Sequence, residues 1–190
     1  MKNNTIILFG LSGSGKSTLA NMLGRKLGLR VVHPSSILKD LLEHKKPNIM
    51  GSKEGVGFWE SSKGIVLFKN RLKTDQPIDL VCDKILLNEV KKGRLVMDSW
   101  SIPWLTKKGI KIYLKATAGT RAKRVASRSK VSIKTATKVV RLKDGKTREL
   151  YLKHRGFDIK KDHQVFDLVI NTNRLSKMEV LNLILKSFQL

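Results

Sequence analysis

The stretch that decides the fold covers residues 5–18 and reads TIILFGLSGSGKST. The apolar and β-branched run at 5–9 predicts a buried strand, and apolar residues at helical spacing predict a helix over 16–27, which Gly28 ends. Between these two elements, residues 10–17 match the pattern G-x-x-x-x-G-K-[ST]. Because a strand precedes the pattern and a helix follows it, the stretch predicts a phosphate-binding loop of the P-loop type.

The loop predicts a site for a nucleoside triphosphate, most simply ATP, together with Mg²⁺. Its three glycines let the backbone come close to phosphate oxygens, and the helix N-terminus favours their negative charge. Lys16 would reach the β- and γ-phosphates, Ser17 would offer its hydroxyl to Mg²⁺, and Thr18 could touch the α-phosphate. The whole predicted nucleotide-binding set is Gly10, Leu11, Ser12, Gly13, Ser14, Gly15, Lys16, Ser17 and Thr18.

Length and composition place the chain among ordinary globular proteins. It has 190 residues, 41% of them hydrophobic, which fits one domain with a real core. The single cysteine, Cys82, excludes an internal disulfide and favours the cytoplasm. No apolar run approaches the ~18–20 residues of a membrane span, and the apolar run near the N-terminus is too short for a secretory signal. We therefore expect a cytoplasmic protein without a membrane segment, most simply a monomer.

The charge of the chain is strongly positive, with 39 Lys and Arg against 15 Asp and Glu, a formal net charge of +24. Such a chain is attracted to polyanions, which include nucleic acids, nucleotides and phosphorylated metabolites. RNA is therefore one possible partner. A solvated, lysine-rich surface without a partner would give the same composition.

Strands and helices alternate along the rest of the chain. Further strands are predicted at 29–32, 94–97, 110–114 and 165–170, and helices from Ser35 or Ser36 to about His44, at 58–71, 77–92 and 119–155, and at 176–188 behind a capping box of Ser176 and Glu179. The Gly- and Pro-containing stretch 47–57 predicts a loop. This alternation predicts an α/β domain whose parallel sheet is covered on both faces.

The segment 119–155 carries most of the charge that could act on phosphate. It contains thirteen basic residues against only Asp144 and Glu149, a net charge of +11. Arg121, Arg124 and Arg128 follow the i, i+3, i+7 spacing of one helical face. Guanidinium groups match the oxygens of a phosphoryl group in transfer, so this segment predicts a lid over the phosphates.

Four stretches resemble nucleoside monophosphate kinases, and above all the small cytidylate kinases of archaeal type. They are VVHPSSILKDLL at 31–42, RAKRVASR at 121–128, VSIKTA at 131–136 and RGFDIKKDHQVFDLVINT at 155–172. The last match is long and specific, whereas the middle of the chain, 45–92, matches weakly.

The resemblance implies phosphoryl transfer from MgATP to a nucleoside monophosphate, with CMP or dCMP as the favoured acceptor. It implies a P-loop NTPase fold with a five-stranded parallel sheet flanked by helices, in one domain over 1–190. A monophosphate-binding arm at about 33–75 and an ATP lid at about 119–155 would close over the reactants. Lys16 with Arg124, Arg128 and Arg141 would stabilise the group in transfer.

The sequence departs from the family on the acceptor side. Residues 35–39 read SSILK where the family usually has Gly-Asp-Ile-Phe-Arg, and 98–100 read DSW where it typically has Glu-Gly-Arg. Asp98, at the carboxyl end of a strand, would orient Mg²⁺ through water. Trp100 could stack on a base or pack in the core. The predicted acceptor-binding residues are Ser35, Ser36, Lys39, Arg71 and Trp100.

Two alternatives follow from these departures and from the charge. The first is a kinase of the same fold whose acceptor is a nucleoside, a sugar phosphate or an RNA end. The second is an RNA- or ribosome-associated ATPase that resembles adenylate kinase. The aromatic residues form no evident base-stacking platform in the sequence, which disfavours the second alternative.

Overall fold

Five parallel strands form one sheet within residues 5–49, 58–71 and 77–190, which the computed structural model describes. The strand order is β2-β3-β1-β4-β5. The strands are β1 Thr5–Phe9, β2 Arg30–Val32, β3 Leu95–Asp98, β4 Ile110–Lys115 and β5 Leu168–Asn171, and the helices are α1 Lys16–Leu27, α2 Pro34–Leu42, α3 Ser62–Asn70, α4 Ile78–Lys92, α5 Ile102–Leu105, α6 Ala118–Ser129, α7 Ile133–Arg155 and α8 Lys177–Phe188, with a 3-10 turn at Phe58–Glu60.

Hydrophobic side chains cover both faces of the sheet, as expected for a parallel sheet between layers of helices. Successive residues of β1 point to opposite faces, so Ile6 packs with α1 and α8 while Ile7 packs with α2 and α4. Every residue of β1 is buried. The central strand is therefore fixed on both sides, and the loop that follows it leaves the sheet from a rigid base.

The P-loop fold predicted from the sequence is confirmed, and so are several element boundaries. β1 and α1 have the predicted bounds, and Gly28 ends α1 in the left-handed region with φ 62°. The capping box of Ser176 and Glu179 is present at the start of α8. These features agree because each depends on residues that lie next to one another in the chain.

Other boundaries differ from the prediction for local reasons. α2 begins at Pro34 rather than behind Ser35 or Ser36, because proline suits the first turn of a helix, where no N–H is required. β5 begins at Leu168 rather than Val165, and just before it the Asp167 carboxylate accepts the hydrogen bond of the Lys111 N–H at 2.7 Å.

The two lengthened segments have distinct structures. The predicted helix 58–71 is interrupted at Ser61, which caps α3 by accepting from the N–H of Gly64. The predicted helix 119–155 consists of α6 and α7, which pack on each other through Ala122, Val125, Ala136 and Val140. Within the predicted loop 47–57, residues 50–57 lie outside the described residues, and so do residues 72–76 of the predicted arm. The short helix α5 was not predicted.

The sequence predicts no membrane-spanning segment. Among the residues whose structure is described, no helix combines the length and the apolar composition that a bilayer span requires.

Candidate active site

A cavity lies at the carboxyl ends of β1 and β3. Parallel α/β sheets bind ligands at this edge, where the connections on either side of β1 lead in opposite directions. The phosphate loop forms one wall through Gly13, Gly15 and Lys16, and Asp98 and Trp100 lie on the wall formed by β3.

The backbone of the phosphate loop requires glycine at two positions. Gly13 and Gly15 have φ values of 82° and 99°, in the left-handed region that disfavours other residues. A Cβ at Gly13 would come within 2.6 Å of the Arg121 carbonyl oxygen. A Cβ at Gly15 would meet no atom within 4 Å. The loop therefore packs closely against α6 on one side and leaves open space at the start of α1, where a phosphate fits.

Arg121 fixes the loop from behind. Its Nη1 donates to the Ser12 carbonyl oxygen at 3.0 Å and forms an ion pair of 2.8 Å with Asp144 of α7. Both side chains of this ion pair are buried, so water screens the interaction weakly. The pair joins the loop to both helices of the predicted lid.

Lys16 occupies the position of the phosphate-binding lysine. Its ammonium lies 3.5 Å from the Leu11 carbonyl oxygen, which is long for a hydrogen bond, and 5.6 Å from the centre of the Trp100 ring. Burial lowers the pKa of Lys16 to about 8, although the charge of Asp98 acts in the opposite direction. A phosphate at the loop would supply the negative charge that favours the protonated form of this lysine.

Ser17 and Asp98 belong to a chain of polar contacts from α1 to the ends of β2 and β3. The Ser17 hydroxyl donates to Asp98 Oδ2 at 2.5 Å, and His33 Nδ1 lies 2.7 Å from Asp98 Oδ1. His33 Nε2 in turn lies 3.2 Å from Oδ1 of Asn21. A hydroxyl and a carboxylate are the hard oxygen ligands that Mg²⁺ prefers, so this pair fits the predicted magnesium site.

The end of the cavity away from the phosphate loop is built from α3, α4 and α7. Arg71, at the end of α3, donates to Asp79 Oδ1 at 2.6 Å and to the Thr147 hydroxyl at 2.8 Å. On α4, Asp83 Oδ1 accepts from the hydroxyls of Ser101 at 2.6 Å and Tyr151 at 3.2 Å. We call the group formed by Arg71, Asp79 and Asp83 the acceptor floor.

Burial dominates the electrostatics of the acceptor floor. It raises the pKa of Asp83 to about 6, and the charge of Asp79 adds to this effect, while the hydrogen bond from Ser101 opposes it. Burial also raises the pKa of Asp79, against the attraction of the Arg71 guanidinium. Buried carboxylates with raised pKa values in a cavity are typical of functional sites.

Glu60 joins the segment before α3 to the predicted lid. Its carboxylate lies 2.7 Å from Lys143 Nζ of α7 and 3.2 Å from a guanidinium nitrogen of Arg128 of α6, and it accepts from the Ser129 hydroxyl at 3.2 Å. Burial acts to raise the pKa of Glu60, but Lys143 and Arg128 outweigh it and hold the pKa below its usual value. Glu60, Lys143 and Arg128 all line the cavity.

A second cavity lies on the other side of the phosphate loop. Its lining includes Ser14, Thr18, Arg124 and Thr172. Arg124 donates to the Thr172 hydroxyl at 3.0 Å and to the Thr172 and Ser14 carbonyl oxygens at 2.5 and 3.3 Å. The loop thus has a cavity on each side, an arrangement suited to two ligands that meet at the phosphates.

The structure brings most of the predicted site residues together. The first cavity is lined by eleven of them, namely Ser12, Gly13, Gly15, Lys16, Ser17, Thr18, Ser35, Arg71, Asp98, Trp100 and Arg128, and the second by Ser14 and Arg124. Five others line neither cavity, and two of them, Gly10 and Leu11, belong to the loop itself. Ser36 is buried in α2, the Lys39 ammonium lies 4.5 Å from the centre of the Phe58 ring, and Arg141 is exposed on α7. The roles of all these residues stay predictions.

Sequence reasoning missed three of the acidic residues of the site. Glu60, Asp79 and Asp83 were not singled out, although all three line the first cavity. One signal was available, because Asp79 and Asp83 fall on the same stripe of α4 as the buried Leu86 and Val90. Charged residues on the apolar stripe of a helix indicate a buried polar cluster.

Comparison with protein families and with known sequences identifies the kind of protein. The model of the cytidylate kinase-like family matches residues 5–174. The cytidylate kinase of Pyrobaculum islandicum is 32% identical over 173 residues, which cover 90% of this chain and 85% of that protein. The cytidylate kinase of Sulfolobus acidocaldarius is 32% identical over 182 residues, 95% of this chain and 91% of that protein.

Solved structures agree on the fold. An uncharacterized protein from Eubacterium ventriosum matches with a TM-score of 0.66 at 17% identity and covers 99% of both chains. Shikimate kinase from Acinetobacter baumannii matches with a TM-score of 0.56 at 18% identity, over 99% of this chain and 94% of that chain. Deoxyadenosine kinase from M. mycoides matches with a TM-score of 0.55 at 15% identity, over 98% and 100%.

These matches span nearly the whole described chain and include its phosphate loop. The solved structures share so little sequence identity with this chain that they show the fold alone. The match to the family model, in contrast, is a match of sequence. The chain therefore belongs to the cytidylate kinase-like family of nucleoside monophosphate kinases.

Proposed function

We propose that the chain transfers the γ-phosphoryl group of ATP, bound with Mg²⁺, to CMP or dCMP. The observation that carries this proposal is that one cavity joins a complete phosphate loop to the acceptor floor. The names of the archaeal relatives support CMP as the acceptor. A donor nucleotide in the second cavity and an acceptor in the first would meet at Lys16.

The proposed mechanism is direct in-line transfer. An oxygen of the acceptor's phosphate attacks the γ-phosphorus, the bond to the β,γ-bridging oxygen breaks, and ADP leaves without a covalent enzyme intermediate. The loop N–H groups and the Lys16 ammonium hold the phosphates of ATP in place. Ser17 and Asp98 would hold Mg²⁺, directly and through water, and the ion neutralises charge on the phosphates.

Arg128 and Lys143 supply the remaining positive charge at the junction of the two ligands. Both line the first cavity, and Arg128 also lines the second. Both cations pair with the carboxylate of Glu60. Phosphate oxygens that lie near this carboxylate would contact the same two cations. We propose that α6 and α7 act as the lid, with Arg124 and Arg141 reaching the phosphates on closure and with water excluded from them.

A panel of monophosphates tests the proposal. The purified chain is mixed with MgATP and with CMP, dCMP, UMP, AMP, GMP or dTMP, and ADP formation is followed. CMP or dCMP should be the best acceptor, and Lys16→Ala should abolish turnover while the protein stays folded. If folded, ATP-binding protein phosphorylates none of the six, the proposal is wrong.

A second candidate is a kinase of the same fold with a different acceptor. The observation that favours it is the position of Lys39, which stands where the family usually has arginine but contacts Phe58 rather than the first cavity. A metabolite panel that includes nucleosides, sugar phosphates and 5′-hydroxyl RNA ends separates the two candidates, since the same ADP measurement reports every acceptor.

A further inference from the structure

The acidic side chains of the described chain are largely withdrawn from its surface. Seven of them are buried, namely Glu60, Asp79, Asp83, Glu89, Asp98, Asp144 and Asp158. Of the described acidic residues, only Glu149, Asp167 and Glu179 are exposed. Most of the described lysines and arginines, in contrast, are exposed. The positive charge of the chain therefore lies at its surface, whereas much of the negative charge does not.

The edge of the sheet formed by the amino ends of its strands is rich in basic residues. The register places Thr5 and Arg30 on either side of Leu95, so β1, β2 and β3 begin side by side. The turn before β4 reaches the same edge, because a Cβ at Gly109 would lie 2.8 Å from the Thr5 carbonyl oxygen. Helices α1 and α4 also end there, since two residues connect each of them to the next strand. We call the basic residues at this edge the basic face: Arg25, Lys26, Arg30, Lys91, Lys92, Arg94, Lys107 and Lys108.

Few negative groups compensate the basic face. Among the described residues at this edge, Glu89 is buried and pairs with Arg30 and Lys92 at 2.8 and 2.5 Å. Asp167 accepts the N–H of Lys111 at 2.7 Å. The carboxyl ends of α1 and α4 together add about one negative elementary charge. Six exposed cations then have no ion pair with any described residue, namely Arg25, Lys26, Lys91, Arg94, Lys107 and Lys108. Like charges gathered on one face repel one another and attract an anionic partner.

We propose that the basic face binds the phosphate backbone of a nucleic acid without reading its sequence. Three strand spacings separate β2 from β4, which is about 14 Å. One strand of nucleic acid carries a phosphate about every 3.4 Å, so the face can contact about four phosphates. The first cavity lies at the carboxyl ends of the strands, so the nucleic acid would bind at the opposite edge and leave the active site free. The inference thus goes beyond the proposed function.

A membrane surface is another large anionic partner, and the basic face suits it less. Stable membrane binding generally combines basic groups with apolar groups or lipid chains that enter the bilayer. The large hydrophobic side chains that are exposed in the described chain are Val66, Val81, Ile133, Leu152, Val169, Met178 and Leu183. None of these seven belongs to the turns that carry the basic face. Binding through charge alone is typical of non-specific contacts to nucleic acid.

Fluorescence anisotropy on the full chain tests the inference with short single strands of RNA and of DNA that share one mixed sequence. About four phosphate contacts give a log–log salt slope near −3, so the affinity should fall about 50-fold between about 50 and 200 mM salt. The two strands should bind within about threefold of each other, because phosphates are common to both. A preference of more than about tenfold for either strand would overturn recognition through the backbone.

The decisive variant removes four lysines of the basic face that make no ion pair, by Lys26→Gln, Lys91→Gln, Lys107→Gln and Lys108→Gln. The matched control removes four lysines that are exposed on α3, α6 and α7 and line neither cavity, by Lys69→Gln, Lys123→Gln, Lys138→Gln and Lys153→Gln. Both variants lose the same net charge. We expect the first to bind RNA at least about tenfold more weakly, with a flatter salt dependence, and the control to stay within about threefold of the unaltered protein.

Three results would overturn the inference. An equal loss of RNA affinity in the two variants would show attraction to net charge rather than to one face. Displacement of RNA by MgADP at constant free Mg²⁺ would place the RNA at the phosphate loop. Vesicles of phosphatidylserine and phosphatidylcholine are the third probe. If the first variant loses vesicle binding but keeps its RNA affinity, the basic face belongs to a membrane contact.

A charge-conserving variant separates loss of charge from loss of structure. Arginine at the same four positions of the basic face should keep the RNA affinity within about threefold, because the phosphate contacts need only the charge. If the glutamine variant does not fold, the unaltered protein still decides, since undetectable or salt-independent RNA binding would overturn the inference. None of these measurements uses turnover, so the result does not depend on the outcome of the monophosphate panel.

Discussion

The hydroxyl of Ser17 donates a 2.5 Å hydrogen bond to Asp98, so the first turn of α1 is tied to the carboxyl end of β3. The other carboxylate oxygen lies 2.7 Å from His33 Nδ1. Asp98 is thus held from two sides, and its orientation toward the phosphate loop depends on both contacts.

Asp98→Asn should weaken the use of Mg²⁺ more than the binding of nucleotide. Loss of a group that orients metal ligands typically costs about 10–100-fold in metal affinity or activity, so the Mg²⁺ concentration for half-maximal turnover should rise by that factor. Kinetics at a series of Mg²⁺ concentrations measure the effect. Glu149→Gln, at an exposed position of α7 that lines neither cavity, is the control, and an unchanged Mg²⁺ requirement in Asp98→Asn would contradict the predicted role.

Glu60→Gln should destabilise the unliganded protein. The change removes the carboxylate from the ion pair with the Lys143 ammonium, which is 8% exposed, and loss of one member of a buried pair costs about 3 kcal/mol in the free energy of unfolding. ATP should recover part of this loss, because its phosphates bring negative charge to the same cations.

Denaturation with and without ATP measures both effects. Glu149→Gln is the matched control, since its ion pair with Lys146 is exposed on α7 and should contribute nothing measurable. If ATP stabilises the variant no more than it stabilises the unaltered protein, the cations are not shared between Glu60 and phosphate.

Stability should depend on pH through Asp83. Its pKa is about 6 in the folded chain and about 3.9 in an unfolded one, so the folded state binds the proton more tightly. The unaltered protein should therefore gain about 2 kcal/mol relative to Asp83→Asn as the pH falls from 7 to 4. The ionisable and polar groups that interact with Asp83 are Asp79, Cys82, Ser101, Tyr151 and Arg155.

Urea denaturation of both proteins across this pH range measures the difference. The free energy of unfolding of the variant is subtracted from that of the unaltered protein at each pH. This difference removes the contributions of the other groups that titrate in the same range. A constant difference between the two proteins from pH 7 to pH 4 would show that Asp83 ionises as it does in water.

Trp100 and Trp104 should respond differently to truncation although they are neighbours in sequence. Trp104 stacks on Phe157 at 4.8 Å and donates to the Asp162 carbonyl oxygen at 2.8 Å, so Trp104→Ala should cost about 3–5 kcal/mol of stability. Trp100 lines the cavity, and Trp100→Ala should raise the acceptor KM about tenfold or more if the indole stacks on the base.

Denaturation and acceptor saturation curves separate the two effects. Each variant serves as the control for the other. A large loss of stability with an unchanged KM in Trp100→Ala would make Trp100 a core residue, as the sequence alone allowed.

The phosphate loop could be predicted because its parts are contiguous. A strand, six connecting residues and a helix suffice to define it, and Lys16 and Ser17 take their positions from that local geometry. The resemblance to a family added the order of the remaining elements. The five-stranded parallel sheet is confirmed by the structure.

The acceptor floor could not be predicted in the same way. Arg71, Asp79 and Asp83 meet only because α3 ends beside α4, and Tyr151 reaches Asp83 from a helix 68 residues further along the chain. Hydrophobic periodicity indicates which face of α4 is buried but does not indicate which helix covers it. The family resemblance is weakest over this part of the sequence, so it gave no help there.

Arg121 makes the phosphate loop inseparable from the helices behind it. Its guanidinium holds the Ser12 carbonyl oxygen and Asp144 of α7, and its own carbonyl oxygen leaves no room for a side chain at Gly13. A transplant of residues 10–17 into another scaffold would therefore lose the support that shapes the loop. Exchange of residues 10–17 between homologues should succeed only when α6 and α7 are exchanged together with them. Substitutions at Gly13, Arg121 and Asp144 should be tolerated only when they are made together.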